Sequence, residues 1–184
     1  MAQATAAATH NNHLKKIAIV GPESSGKTFL AEKLAAHYRC VWVPEYAREY
    51  LEKFTQPYTK EDVEKIARGQ LAAEDAAVKR AGSLLICDTN LLVIKIWMEH
   101  KYNDIPKWIE EEILKRKYDL HLLTAPDIPY EYDPLRENPE RGEYFFEKYK
   151  LLLEELNLKY AVIFGNEKNR FESGVKAINR ISHP

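Results

Sequence analysis

Between a short apolar run and an amphipathic stretch, residues 21–28 read Gly-Pro-Glu-Ser-Ser-Gly-Lys-Thr, the full pattern G-x-x-x-x-G-K-[S/T]. No other feature restricts the fold of this chain so strongly. Lys16-Ile17-Ala18-Ile19-Val20 before it reads as a buried strand, and Phe29 to Tyr38 after it is apolar at helical spacing. Strand, glycine loop and helix in that order let backbone N–H groups cradle phosphate oxygens, while the helix N-terminus adds favourable dipole charge. A chance glycine turn would not need these flanks. Gly21, Glu23, Ser24, Ser25, Gly26, Lys27, Thr28 and Phe29 are therefore expected to hold a nucleoside triphosphate. Lys27 would reach the β- and γ-phosphates and Thr28 would ligate Mg²⁺.

The remainder alternates strand and helix patterns. The first strand is expected over 15–20 and the first helix over 26–38; Cys40–Val43 is a second strand stopped by Pro44. Helix follows from Tyr46 to about Phe54. Another starts at Thr59, a good N-cap with Glu61 and Asp62 in its first turn, and runs towards Arg80. Strands at Ser83–Cys87, Leu120–Thr124 and Tyr160–Phe164 are interleaved with helices at Leu91–His100, Pro106–Lys117, Tyr144–Leu156 and Phe171–Ile181. Such alternation predicts an α/β three-layer sandwich of the P-loop NTPase class, its five-stranded parallel sheet covered on both faces.

With 184 residues and 45% hydrophobic content, the chain suits one domain over 14–184. Residues 1–13 have no apolar core and no signal-peptide centre, so they read as a disordered tail. His10 and His13 lie there without the cysteines or carboxylates of a metal site. A net charge of −1 gives no basic field for nucleic acid, and no run is long enough to span a membrane. Cys40 and Cys87, in or beside strands, suit buried free thiols in a reducing cytoplasm.

Three further places carry candidate chemistry. Asp88 ends the apolar run Leu84–Cys87 and would meet Mg²⁺ at the carboxyl edge of the sheet; the competing reading is a helix cap in Asp-Thr-Asn. Glu45 ends the second strand, where a carboxylate can take the proton of an acceptor hydroxyl. Arg48 could pair with it or with phosphate, and a plain surface ion pair is the alternative. The loop 125–142 holds four prolines together with Arg136 and Arg141, which could close over the phosphates and exclude water, or form only a solvated charged loop. Tyr46, Tyr50, Trp97, Tyr130 and Tyr132, with Glu45 and Asp127, would line an aromatic, acidic acceptor pocket suited to a flat or cationic ligand. Asn166, after the fifth strand, is placed to meet the nucleotide base. Asn166-Glu167-Lys168-Asn169 stands where a GTPase has Asn-Lys-x-Asp, which favours ATP over GTP.

The loop 21–28, Pro44-Glu45-Tyr46-Ala47-Arg48-Glu49-Tyr50, Asp88-Thr89 and the segment from Leu123 to Arg136 resemble the ribosylnicotinamide kinase domain of NadR-type proteins. That resemblance implies the strand order 2-3-1-4-5 and ATP-dependent phosphorylation of nicotinamide riboside at its 5′-hydroxyl. Multidomain relatives also carry adenylyltransferase and DNA-binding regions, for which this chain has no room. A kinase for another nucleoside or nucleotide, and a nucleotide-bound regulatory switch with little catalysis, are the alternatives.

Overall fold

Apolar residues alternate along the strands and decide how the sheet is covered. In the computed structural model, which describes residues 13–54, 57–129, 138 and 140–182, β1 (Lys15–Val20) lies at the centre. It is flanked by β3 (Leu84–Asp88) and β4 (Leu120–Thr124). β2 (Val41–Val43) pairs outside β3, and β5 (Tyr160–Ile163) outside β4. All pairings are parallel and the order is β2-β3-β1-β4-β5. Ile17, Ile19, Ile86 and Leu122 face α1 (Lys27–Tyr38) and α7 (Glu167–Ser182), where they meet Leu30, Leu34 and Ile178. The alternate residues face the other way. Val20 and Leu123 pack on α4 (Leu91–Tyr102) and α6 (Gly142–Glu155), and Leu85 and Cys87 pack near Ala77 of α3 (Lys60–Val78). Each fully buried Ile or Leu contributes roughly 1.5–3 kcal/mol through removal from water. These are the three layers expected from the sequence. Among the described residues, no helix is long and apolar enough to cross a membrane.

Two shorter helices complete the described elements: α2 (Tyr46–Leu51), ending before the expected Phe54, and α5 (Lys107–Lys115). α3 opens with the expected Thr59 cap. Asp62 returns the bond to the Thr59 N–H, a reciprocal box worth about 1 kcal/mol. α7 begins at Glu167, four residues ahead of expectation, because the Asn166 side chain accepts the Asn169 N–H at 3.0 Å and starts the helix there. The expectations for residues 1–12, Tyr130, Tyr132 and Arg136 fall outside the described residues.

His121 is buried in β4, on the face towards α4. The Lys159 carbonyl, 3.3 Å away, can only accept, so Nδ1 carries the hydrogen; Nε2 accepts from the Asn90 amide at 3.4 Å. Burial pushes the imidazole down from 6.5 to about 4, with the Lys159 contact acting weakly the other way. An unfolded chain takes up this proton near pH 6.5 and the folded one resists until about pH 4, so stability is lost as pH falls through that window. Denaturant unfolding at pH 7.5 and pH 5 should show this loss, and His121→Gln should reduce it. An equal loss in the variant would remove His121 as its cause.

Candidate active site

All five strands point their carboxyl ends to one edge, and the glycine loop leaves β1 there. Gly21 takes φ 145°, and a Cβ on it would fall 2.4 Å from Thr124 Oγ1 and 2.7 Å from the Thr124 carbonyl oxygen. Only glycine lets the loop lie this close to the end of β4. The Ser25 hydroxyl donates to the Pro22 carbonyl at 2.7 Å and accepts from the Thr124 hydroxyl at 2.6 Å; Lys27 Nζ also donates to the Pro22 carbonyl, at 2.8 Å. Gly26, at φ 75°, is the N-cap of α1.

Arg170, in the first turn of α7, was not singled out from the sequence. It is 1% exposed, yet its guanidinium is fully engaged. It donates to the carbonyls of Ser25 (2.9 Å), Gly165 (2.7 Å) and Ala125 (2.9 Å) and pairs with Asp127. A trans peptide points its carbonyl and its N–H in opposite directions. Holding the Ser25 carbonyl on Arg170 therefore aims the Gly26 N–H away from α7, and holding the Pro22 carbonyl on Ser25 and Lys27 turns the Glu23 N–H away from those two side chains. Arg170→Lys keeps the charge but lacks the planar fork. It should weaken ADP binding about tenfold by calorimetry; unchanged affinity would reduce Arg170 to a core residue.

Asp88 ends β3 beside the loop, in register with Ile19. It is fully buried, and among the described residues neither carboxylate oxygen has a hydrogen-bond partner. Burial, and then the nearby Glu45 carboxylate, raise its pKa to about 6; the neighbouring Thr28 hydroxyl, Lys27 and Arg48 partly offset this. A buried, unsatisfied carboxylate is unfavourable unless a cation completes it. One carboxylate and one hydroxyl, with phosphate oxygens and water, suit Mg²⁺, which keeps several waters and needs no protein cage. Thr28 and Asp88 thus fit the ion. Among the described residues no cluster of three or more metal-ligating side chains exists.

A cleft of about 460 Å³ runs from the loop towards α4 and α6. Glu45 and Arg48 line it, as do the rings of Tyr58, Trp97, His100, Phe145 and Tyr149. Trp97 Nε1 donates to the Tyr58 hydroxyl at 2.9 Å, with the rings edge to face at 5.1 Å. His100 meets Phe145 edge to face at 4.9 Å. Burial, then the charges of Glu45 and Glu23, raise the Tyr149 phenol well above its usual range, so it stays neutral. The cleft therefore combines phosphate donors, carboxylates and aromatic rings in one lining.

A family model for an AAA domain, AAA_28, matches residues 16–170. The chain belongs to this AAA-domain family. Among curated proteins it is 29% identical over 129 residues to the trifunctional NAD biosynthesis/regulator protein NadR of Escherichia coli K12, covering 67% of this chain. The chain spans about a third of that relative's length (31%). A crystal structure of NadR in complex with NR superposes with a TM-score of 0.80 at 23% identity, over 93% of this chain and 52% of that one. Deoxyadenosine kinase from M. mycoides with bound dCTP matches with a TM-score of 0.56 at 17% identity, over 90% and 99%. The fold is that of the P-loop kinases.

Within this AAA domain, Gly21 to Phe29, Glu45, Arg48 and Trp97 all line the cleft, with Asp88 beneath it. Other expected site residues lie elsewhere. Tyr46 and Tyr50 turn onto α3: the Tyr46 ring rests on Gly69, and the Tyr50 hydroxyl donates to Asp62 at 3.0 Å. Asp127 serves Arg170 and accepts the Gly165 N–H at 2.6 Å. Asn166 caps α7. Arg141 precedes α6 and donates to His100 Nε2 at 3.1 Å, so it reaches the cleft only through that histidine. Missed beforehand were Arg170, Tyr58, His100 and Tyr149. None of these carried a sequence signal of its own, since α7 holds Lys168, Lys176 and Arg180 besides Arg170.

Proposed function

We propose that this AAA domain is an ATP-dependent kinase that phosphorylates the 5′-hydroxyl of nicotinamide riboside. The observation that carries this reading is the cleft itself, whose lining combines the phosphate loop, Glu45 and several aromatic rings. Lys27 and the N–H groups of residues 23–28 hold the triphosphate and stabilise charge on the moving phosphoryl group. Mg²⁺ at Thr28 and Asp88 supplies charge neutralisation at the phosphate oxygens. Glu45 accepts the proton of the acceptor hydroxyl. Tyr58, Trp97 and Tyr149 stack on the acceptor base, and the cationic pyridinium of nicotinamide riboside suits both the aromatic faces and the carboxylates. The similarity to NadR, one structure of which holds NR, supports this acceptor. The free thiols Cys40 and Cys87 suit a reducing compartment such as the cytoplasm.

A second acceptor class is favoured by the same aromatic rings, because stacking accepts any flat base. Mg-ATP should be incubated with nicotinamide riboside, cytidine, uridine and deoxyadenosine, and the products resolved by mass. Nicotinamide mononucleotide as the main product supports the reading, and preference for a neutral nucleoside replaces the acceptor. No phosphorylated product from folded, ATP-binding protein, with slow hydrolysis alone, would favour a nucleotide-dependent switch.

A further inference from the structure

Glu45 sits at the N-cap of α2 with φ −65° and ψ 109°, and its own side chain caps nothing. Something else must fix its direction. The Gln70 side chain, on α3 and 3% exposed, reaches both neighbouring peptide groups. Its Oε1 accepts the Tyr46 N–H at 2.8 Å, and its Nε2 donates to the Pro44 carbonyl at 3.4 Å. Pro44 C=O belongs to the peptide before Glu45 and Tyr46 N–H to the peptide after it. One amide therefore holds the planes on both sides of the Glu45 Cα, and a Cα with both planes fixed has a fixed Cα–Cβ direction. The contacts also settle which end of the amide is which, since an N–H needs oxygen and a carbonyl needs NH₂.

Gly69 supports the same corner. It lies inside a 19-residue helix, where glycine is about 1 kcal/mol less favourable than alanine. A Cβ there would lie 2.1 Å from Cε1 and 2.4 Å from Cζ of Tyr46. The missing side chain makes a notch for the Tyr46 ring, so the residue after Glu45 is seated as well as hydrogen-bonded. Gln70 itself does not line the cleft.

We propose that Gln70 is a positioning residue that acts through Glu45, its side-chain amide clamping the two peptide groups that aim the Glu45 carboxylate into the cleft. This rests on the reading of Glu45 as the group that takes the acceptor's proton. Gln70→Leu keeps the shape and removes both hydrogen bonds. With Mg-ATP and the acceptor that the mass assay identifies, it should lower kcat about 10–100-fold and leave the KM for ATP within twofold. In a Glu45→Gln background the same change should have almost no further effect, since the group it aims is already gone. An equal loss in both backgrounds, or an unchanged kcat in Gln70→Leu, overturns the inference. If Glu45→Gln alone is as fast as the parent, the reading of Glu45 fails and the inference falls with it; a slow Glu45→Gln with a fast Gln70→Leu overturns the inference alone. Hydrogen exchange gives a readout that needs no turnover. The Tyr46 N–H should exchange at least tenfold faster in Gln70→Leu while amides of β1 and β4 keep their protection. Should that variant not fold, Gln70→Glu keeps the acceptor for Tyr46 and sets an oxygen against the Pro44 carbonyl. It should show the same split between kcat and KM, and parental kinetics there overturn the inference.

Discussion

Glu45→Gln should bind ATP as tightly as the parent and transfer phosphoryl about 10²–10⁴-fold more slowly. The substitution keeps the shape and removes the carboxylate's charge and, with it, the ability to accept a proton. Glu45 lines the cleft close enough to Asp88 to raise that residue's pKa, so the two carboxylates share one electrostatic environment. Calorimetry with a non-hydrolysable ATP analogue, set beside turnover by product mass, separates the two effects. A normal rate would return Glu45 to a plain ion pair with Arg48 and pass the proton to another group.

Asp88→Asn should abolish most activity and yet make the ligand-free protein more stable. Turnover should fall about 10²-fold or more, because a neutral amide is a poor partner for Mg²⁺ and for the charge that it balances. Stability moves the other way. A carboxyl raised from 3.8 to about 6 is ionised at neutral pH at a cost of up to about 3 kcal/mol. The folded state keeps this proton up to about pH 6, whereas the unfolded chain releases it near 3.8. The contribution of Asp88 to the parent's stability therefore rises as pH falls through about 6 towards 3.8, opposite in sign to that of His121. The advantage of Asp88→Asn should be largest near pH 8 and shrink below pH 6, as measured by denaturant unfolding in the presence of a chelator. A less stable variant at pH 8 would mean that the carboxylate is better solvated than its burial implies.

Much of this molecule can be read along the chain. The phosphate loop, Glu45 and Asp88 stand where an apolar strand ends, so alternation alone puts them at one sheet edge. Strand order is different. Periodicity says that strands are parallel but not which lie side by side, and the order β2-β3-β1-β4-β5 came from resemblance. The tyrosines of α2 show how angle outweighs proximity. At about 100° per residue, Tyr46 and Tyr50 share one side of the helix, while Ala47, Arg48 and Leu51 share another. The second set lines the cleft and the first packs on α3. Tyr58, His100, Tyr149 and Arg170 are far apart in sequence and meet only once the sheet is assembled. Gly69 carried a signal in hindsight, for a glycine within a helix asks what fills its space.

The guanidinium of Arg170 joins three carbonyls from three separate loops, those after β1, β4 and β5. A nucleotide spans the distance from phosphate loop to base-side loop. Here those loops are already held to one another before it arrives, so less conformational entropy is lost when it binds. Affinity for the nucleotide then depends on the stiffness of this frame as well as on the contacts it makes. Mutations that loosen this frame would be felt first as faster dissociation of ADP, well before any loss of fold.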